Sequence, residues 1–80
     1  MEFVAQIQVA AIDTANGRVR VIAAKDNAGD DWILLHASDS ADEAVCLLRL
    51  DDAEDLSGAI ASAVDRLRNG HLKIQLSSGE

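Results

Sequence analysis

The stretch DDWILLHASDSADEAVCLLRLDD, residues 30–52, contains two short apolar runs with acidic residues at their outer ends. In a β-strand, successive side chains point to opposite faces of the sheet. Each run has large apolar residues at both odd and even positions, so both faces of this strand pair need a cover. The alternating residues are Trp32, Ile33, Leu34 and Leu35 in the first run, and Val45, Cys46, Leu47 and Leu48 in the second.

Two segments before this stretch alternate more simply and predict a β-hairpin. Residues 2–12 and 18–24 each place apolar side chains on one face and mostly polar ones on the other. The sequence between them carries Asn16-Gly17, a pair typical of hairpin turns. The polar side of the two strands is formed by Gln6, Gln8, Arg18 and Arg20.

The register of this hairpin follows from its apolar residues. A three-residue loop ending in a left-handed Gly17 places Ala11 opposite Val21 and Val9 opposite Ala23. This register keeps apolar residues across from one another, whereas a two-residue loop mixes the faces. We therefore predict the three-residue loop.

Residues 51–69 change to helical spacing. Asp51 and Glu54 have the spacing of a capping box, and Asn69-Gly70 is a suitable C-terminal stop. Residues 71–76 alternate again and predict a last strand, and residues 77–80 are expected to fray. The apolar stripe of the helix is Leu56, Ile60, Ala63, Val64 and Leu67.

These elements predict an α+β fold in one domain, residues 1–80. The expected architecture is a single antiparallel sheet of about five strands, in the chain order β-β-β-β-α-β, with one helix packed on one face. Since one helix covers one face, the apolar residues of strands three and four remain on the other. We expect a second copy of the chain to cover them, with another partner or the chain's own loops as alternatives. The predicted interface is Trp32, Ile33, Leu35, Val45 and Leu47.

A chain of 80 residues buries too little surface for a large core. Small domains gain further stability from disulfides, metals or oligomerisation. The single cysteine, Cys46, excludes an internal disulfide. The sequence shows neither a signal-peptide pattern nor an apolar run of membrane-spanning length, so we expect a cytoplasmic protein and favour a homodimer.

The formal net charge is −7, and it is concentrated in the middle of the chain. Ten acidic residues and one basic residue, Arg49, lie between positions 26 and 55. Such a charge distribution disfavours nucleic acid and anionic membranes as partners and favours a basic protein surface. The predicted acidic recognition belt comprises Asp26, Asp30, Asp31, Asp39, Asp42 and Glu43.

No set of residues has a spacing that catalysis requires. His36 and Asp39 resemble a base with an orienting carboxylate, but a surface histidine beside a polar loop has the same pattern. Cys46 alternates with leucines, which indicates a small buried hydrophobe. The acidic loops allow weak calcium binding if they lie close together, without matching an EF-hand. We predict no catalytic residues, no cofactor and no metal site.

The leading hypothesis is a small acidic, non-enzymatic protein-interaction module (an adaptor, regulator or inhibitor) that acts as a homodimer. One alternative is an acidic decoy that occupies a nucleic-acid-binding site on its target. A second alternative is a binder of single-stranded nucleic acid that uses the arginine-bearing face of the sheet, although such binding needs aromatic stacking platforms.

Overall fold

A computed structural model describes residues 2–70, and over this range the fold is α+β, with a four-stranded antiparallel sheet and one helix. Consecutive strands are neighbours, so the order across the sheet is β1-β2-β3-β4. The predicted fold class is confirmed, whereas the predicted strand 71–76 and the tail 77–80 lie outside the described residues. The elements are β1 Phe3–Asp13, β2 Gly17–Asp26, β3 Asp31–Asp39, β4 Glu43–Leu48 and α1 Leu50–Arg68.

The β1–β2 hairpin differs from the predicted register by one residue at its turn. Ala11 pairs with Arg20 rather than with Val21. The Gly17 backbone N–H donates to the Thr14 hydroxyl (3.0 Å), and the Thr14 N–H donates to the Gly17 carbonyl (2.8 Å). Gly17 has no positive φ and begins β2. The threonine side chain closes this turn, which apolar pairing alone did not reveal.

Two register shifts interrupt β1, between Phe3 and Ala5 and between Gln8 and Ala10. A bulge inserts one residue into a strand and changes which side chains follow on each face. Ile7 therefore pairs with Ala23, and Ile12 on the far side of the bulge pairs with Val19. Both isoleucines lie on the same face, although their spacing of five would separate them in a regular strand.

The pairing registers define two faces of the sheet. The arginine-bearing sheet face carries the predicted glutamines and arginines, which is a confirmed prediction, together with apolar residues of β3 and β4. The apolar sheet face has no arginine, and its charged side chains lie at the strand ends, where Lys25 pairs with Asp31. The arginine-bearing sheet face includes Gln6, Gln8, Arg18, Arg20, Ile22, Trp32, Leu34, His36, Val45 and Leu47. The apolar sheet face includes Ile7, Ile12, Val19, Val21, Ile33, Leu35, Cys46 and Leu48.

Helix α1 begins one residue before the predicted start, and its cap is shifted by two positions. Arg49 is the N-cap, and its backbone N–H donates to the Asp52 carboxylate (3.4 Å), so Asp51 and Glu54 do not form the box. The predicted end is confirmed: Asn69 is the C-cap, and Gly70 follows with a φ of 71°. A left-handed glycine after the C-cap is a common helix stop.

The contact between α1 and the sheet is limited to the start of the helix. Leu50, Ala53 and Ser57 lie beside Ile33 on the apolar sheet face. The helix approaches β3 and β4 and reaches neither β1 nor β2. None of its residues is buried. The predicted packing of the helix on one face is thus seen at its first two turns.

The core formed by the described residues is small. Only two apolar residues, Ala24 and Leu34, are buried, and both lie on the arginine-bearing sheet face. The radius of gyration is 16.3 Å, compared with about 12 Å for a compact domain of this length. The chain therefore has the secondary structure of a small domain without an interior of comparable size.

Gly17→Ala tests the close approach of β2 to β3 at the hairpin turn. A methyl group at this position would overlap the carbonyl oxygen of Ser38 in the neighbouring strand. We expect a loss of about 1–3 kcal/mol in the free energy of unfolding, measured by urea denaturation, because overpacking forces backbone shifts.

Gly58→Ala is the matched control for Gly17→Ala. Among the described residues nothing lies within 4 Å of a Cβ at Gly58, which lies inside α1. Alanine should raise helix stability by about 0.5–1 kcal/mol. Equal destabilisation by both substitutions would contradict the close approach at Gly17.

Candidate functional site

The predicted interface residues lie on two different faces of the sheet. Leu34 pairs with Leu47 and His36 pairs with Val45, so Val45 and Leu47 share the arginine-bearing sheet face with Trp32. Ile33 and Leu35 point the other way, toward the apolar sheet face. The structure therefore does not bring the five predicted residues together as one patch.

The apolar sheet face extends across all four strands and is largely uncovered. Ile7 and Ile12 of β1 are 67% and 54% exposed, and every other large residue of this face is at least partly exposed. A shallow groove of about 270 Å³ runs along it beside Ala5, Ile7 and Ala23. The sequence alone predicts an uncovered apolar surface on β3 and β4. It does not reveal Ile12, because the bulge at Val9 interrupts the alternation of side chains along β1.

Trp32 on the arginine-bearing sheet face is held by two neighbours. Its indole N–H donates to Oδ2 of Asp26 (2.9 Å), and the Arg49 guanidinium lies 4.7 Å from its ring centroid. Cation–π contacts of this kind are attractive by about 0.5–1 kcal/mol at exposed sites. The one aromatic ring on β3 is therefore already stacked, and the ring is not an open platform for a base.

A second cation on the arginine-bearing sheet face is also paired. The Arg18 Nε donates to Oδ1 of Asp13 (2.8 Å), and both side chains are largely exposed. Such surface pairs add little stability because water screens them. They do, however, lower the net positive charge available for phosphate binding on this face.

Asp26 organises the turn between β2 and β3. Its Oδ1 accepts hydrogen bonds from the backbone N–H groups of Ala28 and Asp30, both at 2.9 Å, while its Oδ2 accepts from Trp32. Asp26 is also buried, which is unusual for a carboxylate. The hydrogen bond from Trp32, followed by that from the Asp30 backbone, lowers the pKa of Asp26. This residue is a structural element of the turn.

The predicted acidic belt is divided between the two ends of the sheet. Three of its members lie at the β2–β3 turn and three at the β3–β4 turn, separated by the length of β3, about 27 Å at 3.4 Å per residue. The first group is Asp26, Asp30 and Asp31, and the second is Asp39, Asp42 and Glu43. The two loops are too far apart to share a cation. The calcium site considered above, which required the two loops to lie close together, is therefore not formed by them.

Several of these acids have partners within the chain. Oδ1 of Asp39 accepts from the backbone N–H groups of Ala41 and Asp42, both at 2.8 Å, and these bonds, with that from Asp42 first, lower the pKa of Asp39. Asp31 accepts from Lys25 Nζ (2.6 Å). This hydrogen bond raises the pKa of Lys25. Asp30 and Asp42 remain without a side-chain bond among the described residues.

The candidate catalytic groups are not assembled. His36 Nε2 contacts Glu43 rather than Asp39, whose carboxylate is engaged in its own turn. Cys46, expected to be buried, is exposed on the apolar sheet face. Within residues 2–70, no three metal-ligating side chains converge. No helix in this part of the chain is both long enough and apolar enough to cross a membrane.

Comparisons with family models, with curated protein sequences and with solved structures found no match to this chain.

Asp26→Asn should lower the stability of the protein at neutral pH. The asparagine amide retains one acceptor oxygen but presents an N–H₂ group to one of the donors that Asp26 now satisfies. A carboxylate whose folded pKa is lowered stabilises the fold above its unfolded pKa, near 3.8, and this contribution is lost as pH falls through the folded value. The fluorescence of Trp32, the single tryptophan, reports urea unfolding at each pH.

Asp42→Asn is the control, since it removes the same charge from a carboxylate without a hydrogen bond among the described residues. It should leave the pH dependence of unfolding close to that of the unmodified chain. Asp26→Asn should flatten the decline in stability as the pH falls through the unfolded pKa, near 3.8, and below it. If both variants gave the same pH profile, the structural role assigned to Asp26 would be wrong.

Proposed function

We propose that the protein is a non-enzymatic interaction module that acts as a homodimer, with the apolar sheet face as the dimer interface. The observation that carries this proposal is the exposure of that face across four strands, from Ile7 and Ile12 on β1 to Cys46 on β4. Monomeric proteins seldom leave contiguous apolar patches of this extent in water.

The energetics favour a second copy as the cover. Burying one exposed isoleucine or leucine stabilises a complex by about 1.5–3 kcal/mol, and a twofold interface uses each such residue twice. The two isoleucines of β1 alone would thus contribute four buried side chains to each dimer. A chain whose described residues include two buried apolar side chains gains more from association than a chain with a filled core.

The charge distribution supports a further protein partner for the dimer. The acidic residues lie at the ends of the strands and at the start of α1, where Asp51 and Asp52 occupy the first turn. The Lys25–Asp31 ion pair lies at one end of the apolar sheet face, and the carboxylates at these ends keep the dimer soluble. They also favour fast encounter with a basic protein surface. The expected cytoplasmic location stays a prediction.

Fewer observations support the two alternative functions, the acidic decoy and the single-strand binder. A decoy for a nucleic-acid-binding site needs free carboxylates along one face, and here Asp26 and Asp39 are engaged in turns at opposite ends of the sheet. A single-strand binder needs free aromatic and cationic groups, whereas Trp32 stacks with Arg49 and Arg18 pairs with Asp13.

Ile7→Asp should dissociate the dimer while leaving the chain folded. The side chain is mostly exposed in one chain, so the substitution costs little there, but in the dimer it places a charge in an apolar interface. We expect the dissociation constant to rise at least about 100-fold, since two copies of the change enter each dimer. Sedimentation velocity over a concentration series measures this constant.

Gln8→Asp is the matched control for the interface. It adds the same charge to the same strand, but Gln8 lies on the arginine-bearing sheet face. This variant should sediment like the unmodified chain. Dissociation by Gln8→Asp with no effect of Ile7→Asp would assign the interface to the opposite face, and a monomeric unmodified chain would contradict the proposed function.

A further inference from the structure

The apolar stripe of α1 is as uncovered as the apolar sheet face. Ile60 and Leu67 are 56% and 61% exposed, and the two other large residues of the stripe, Leu56 and Val64, are also exposed. An amphipathic helix in a small domain normally buries such a stripe against its own sheet. In the described part of the chain, the apolar stripe and the apolar sheet face are two complementary surfaces that do not cover each other.

The junction between β4 and α1 directs the helix away from the rest of its own sheet. Arg49 is the single residue between the two elements and is extended, with φ −75° and ψ 166°. Its N–H is held by Asp52, its carbonyl accepts from the Ala53 N–H (2.9 Å), and its guanidinium stacks on Trp32. These contacts fix the angle at which the helix leaves β4.

The consequence of this angle is that the stripe does not meet its own β1. That strand lies three strand spacings from β4, about 14 Å across the sheet. The helix passes beside Ile33, and its contacts with the sheet are with β3 and β4. A short, fixed connection of this kind favours exchange of an element between two copies.

The exposed area is large enough to supply the interface of a stable homodimer. The chain exposes 6127 Å² of solvent-accessible surface, whereas a compact protein of 8.5 kDa exposes about 4,650 Å². The excess, about 1,500 Å² per chain, lies within the range of about 1,000–2,500 Å² per subunit found in obligate homodimers.

We propose that the dimer forms by reciprocal exchange of α1, so that the helix of each chain lies across the apolar sheet face of the other. The stripe of one copy then covers Ile7 and Ile12 of the second, and the same contact is repeated by the twofold axis. Both apolar surfaces of both chains are covered by this one arrangement. The inference rests on the proposed function, since exchange requires a second chain.

Cysteine cross-linking between two differently tagged chains tests the exchange. One chain combines Cys46→Ser with Ile7→Cys, so that its single thiol lies on β1, at a residue of the apolar sheet face that the partner's stripe would cover. The other combines Cys46→Ser with Ile60→Cys and so carries its thiol on the stripe. The chains are mixed, denatured and refolded together, and then oxidised in air with a copper catalyst. A disulfide between them can only be intermolecular.

Ser62→Cys in place of Ile60→Cys is the matched control, because position 62 lies about 200° further around the helix, opposite the stripe. We expect at least about tenfold more disulfide-linked mixed dimer, about 17 kDa plus tags, with Ile60→Cys, since disulfides require Cα atoms within about 7 Å. Val64→Cys repeats the test from a second stripe position if Ile60→Cys impairs folding.

Three other results would overturn the exchange, and they differ in what they imply for the proposed function. Cross-links between two copies of the Ile7→Cys chain with no cross-link to the stripe would mean that two apolar sheet faces meet directly, so the homodimer survives and the exchange fails. Equal cross-linking from positions 60 and 62 would mean that the helix does not lie on the partner sheet. A monomer in sedimentation velocity, with cross-linking only when one chain carries both thiols, would contradict both proposals.

Discussion

The apolar sheet face is the feature on which the other properties of this structure depend. An antiparallel sheet is stable in water with one wet face when its other face is covered by apolar side chains. Here Leu34 and Ala24 are buried on the arginine-bearing sheet face, where the Trp32 ring and Arg49 provide local cover. Within residues 2–70, the opposite, more apolar face has only the first two turns of α1 beside it. The chain therefore needs a cover for that face.

The elements themselves were predictable from sequence, whereas their registers were not. Apolar residues alternate with a period of two in β1 and β2, and they follow the helical period in α1. The two periods differ, so the pattern predicts where each element lies and whether it is a strand or a helix. Register is specified by pattern only where the two faces of a strand differ in polarity. In β3 and β4 both faces are apolar, and the tight turn held by Asp39 sets the pairing of Leu34 with Leu47 instead. This is why the predicted interface residues lie on two faces.

The acidic residues show a second limit of sequence reasoning. Asp26 and Asp30 are four residues apart and chemically identical, yet Asp26 is buried and accepts three hydrogen bonds while Asp30 is exposed. The sequence indicates an acidic chain, with ten acidic residues between positions 26 and 55. It does not distinguish the aspartates that close turns from those that face solvent, because that difference depends on which backbone N–H groups the fold brings to each carboxylate.

The central claim is that the core of this protein is completed by a second copy of the chain. If so, unfolding and dissociation are coupled, and stability depends on chain concentration. The most direct measurement is urea denaturation followed by Trp32 fluorescence at chain concentrations spanning a factor of about 100. The account predicts a midpoint that rises by about 0.5–1 M urea for each tenfold increase in concentration, since tenfold corresponds to about 1.4 kcal/mol. A midpoint independent of concentration would contradict it.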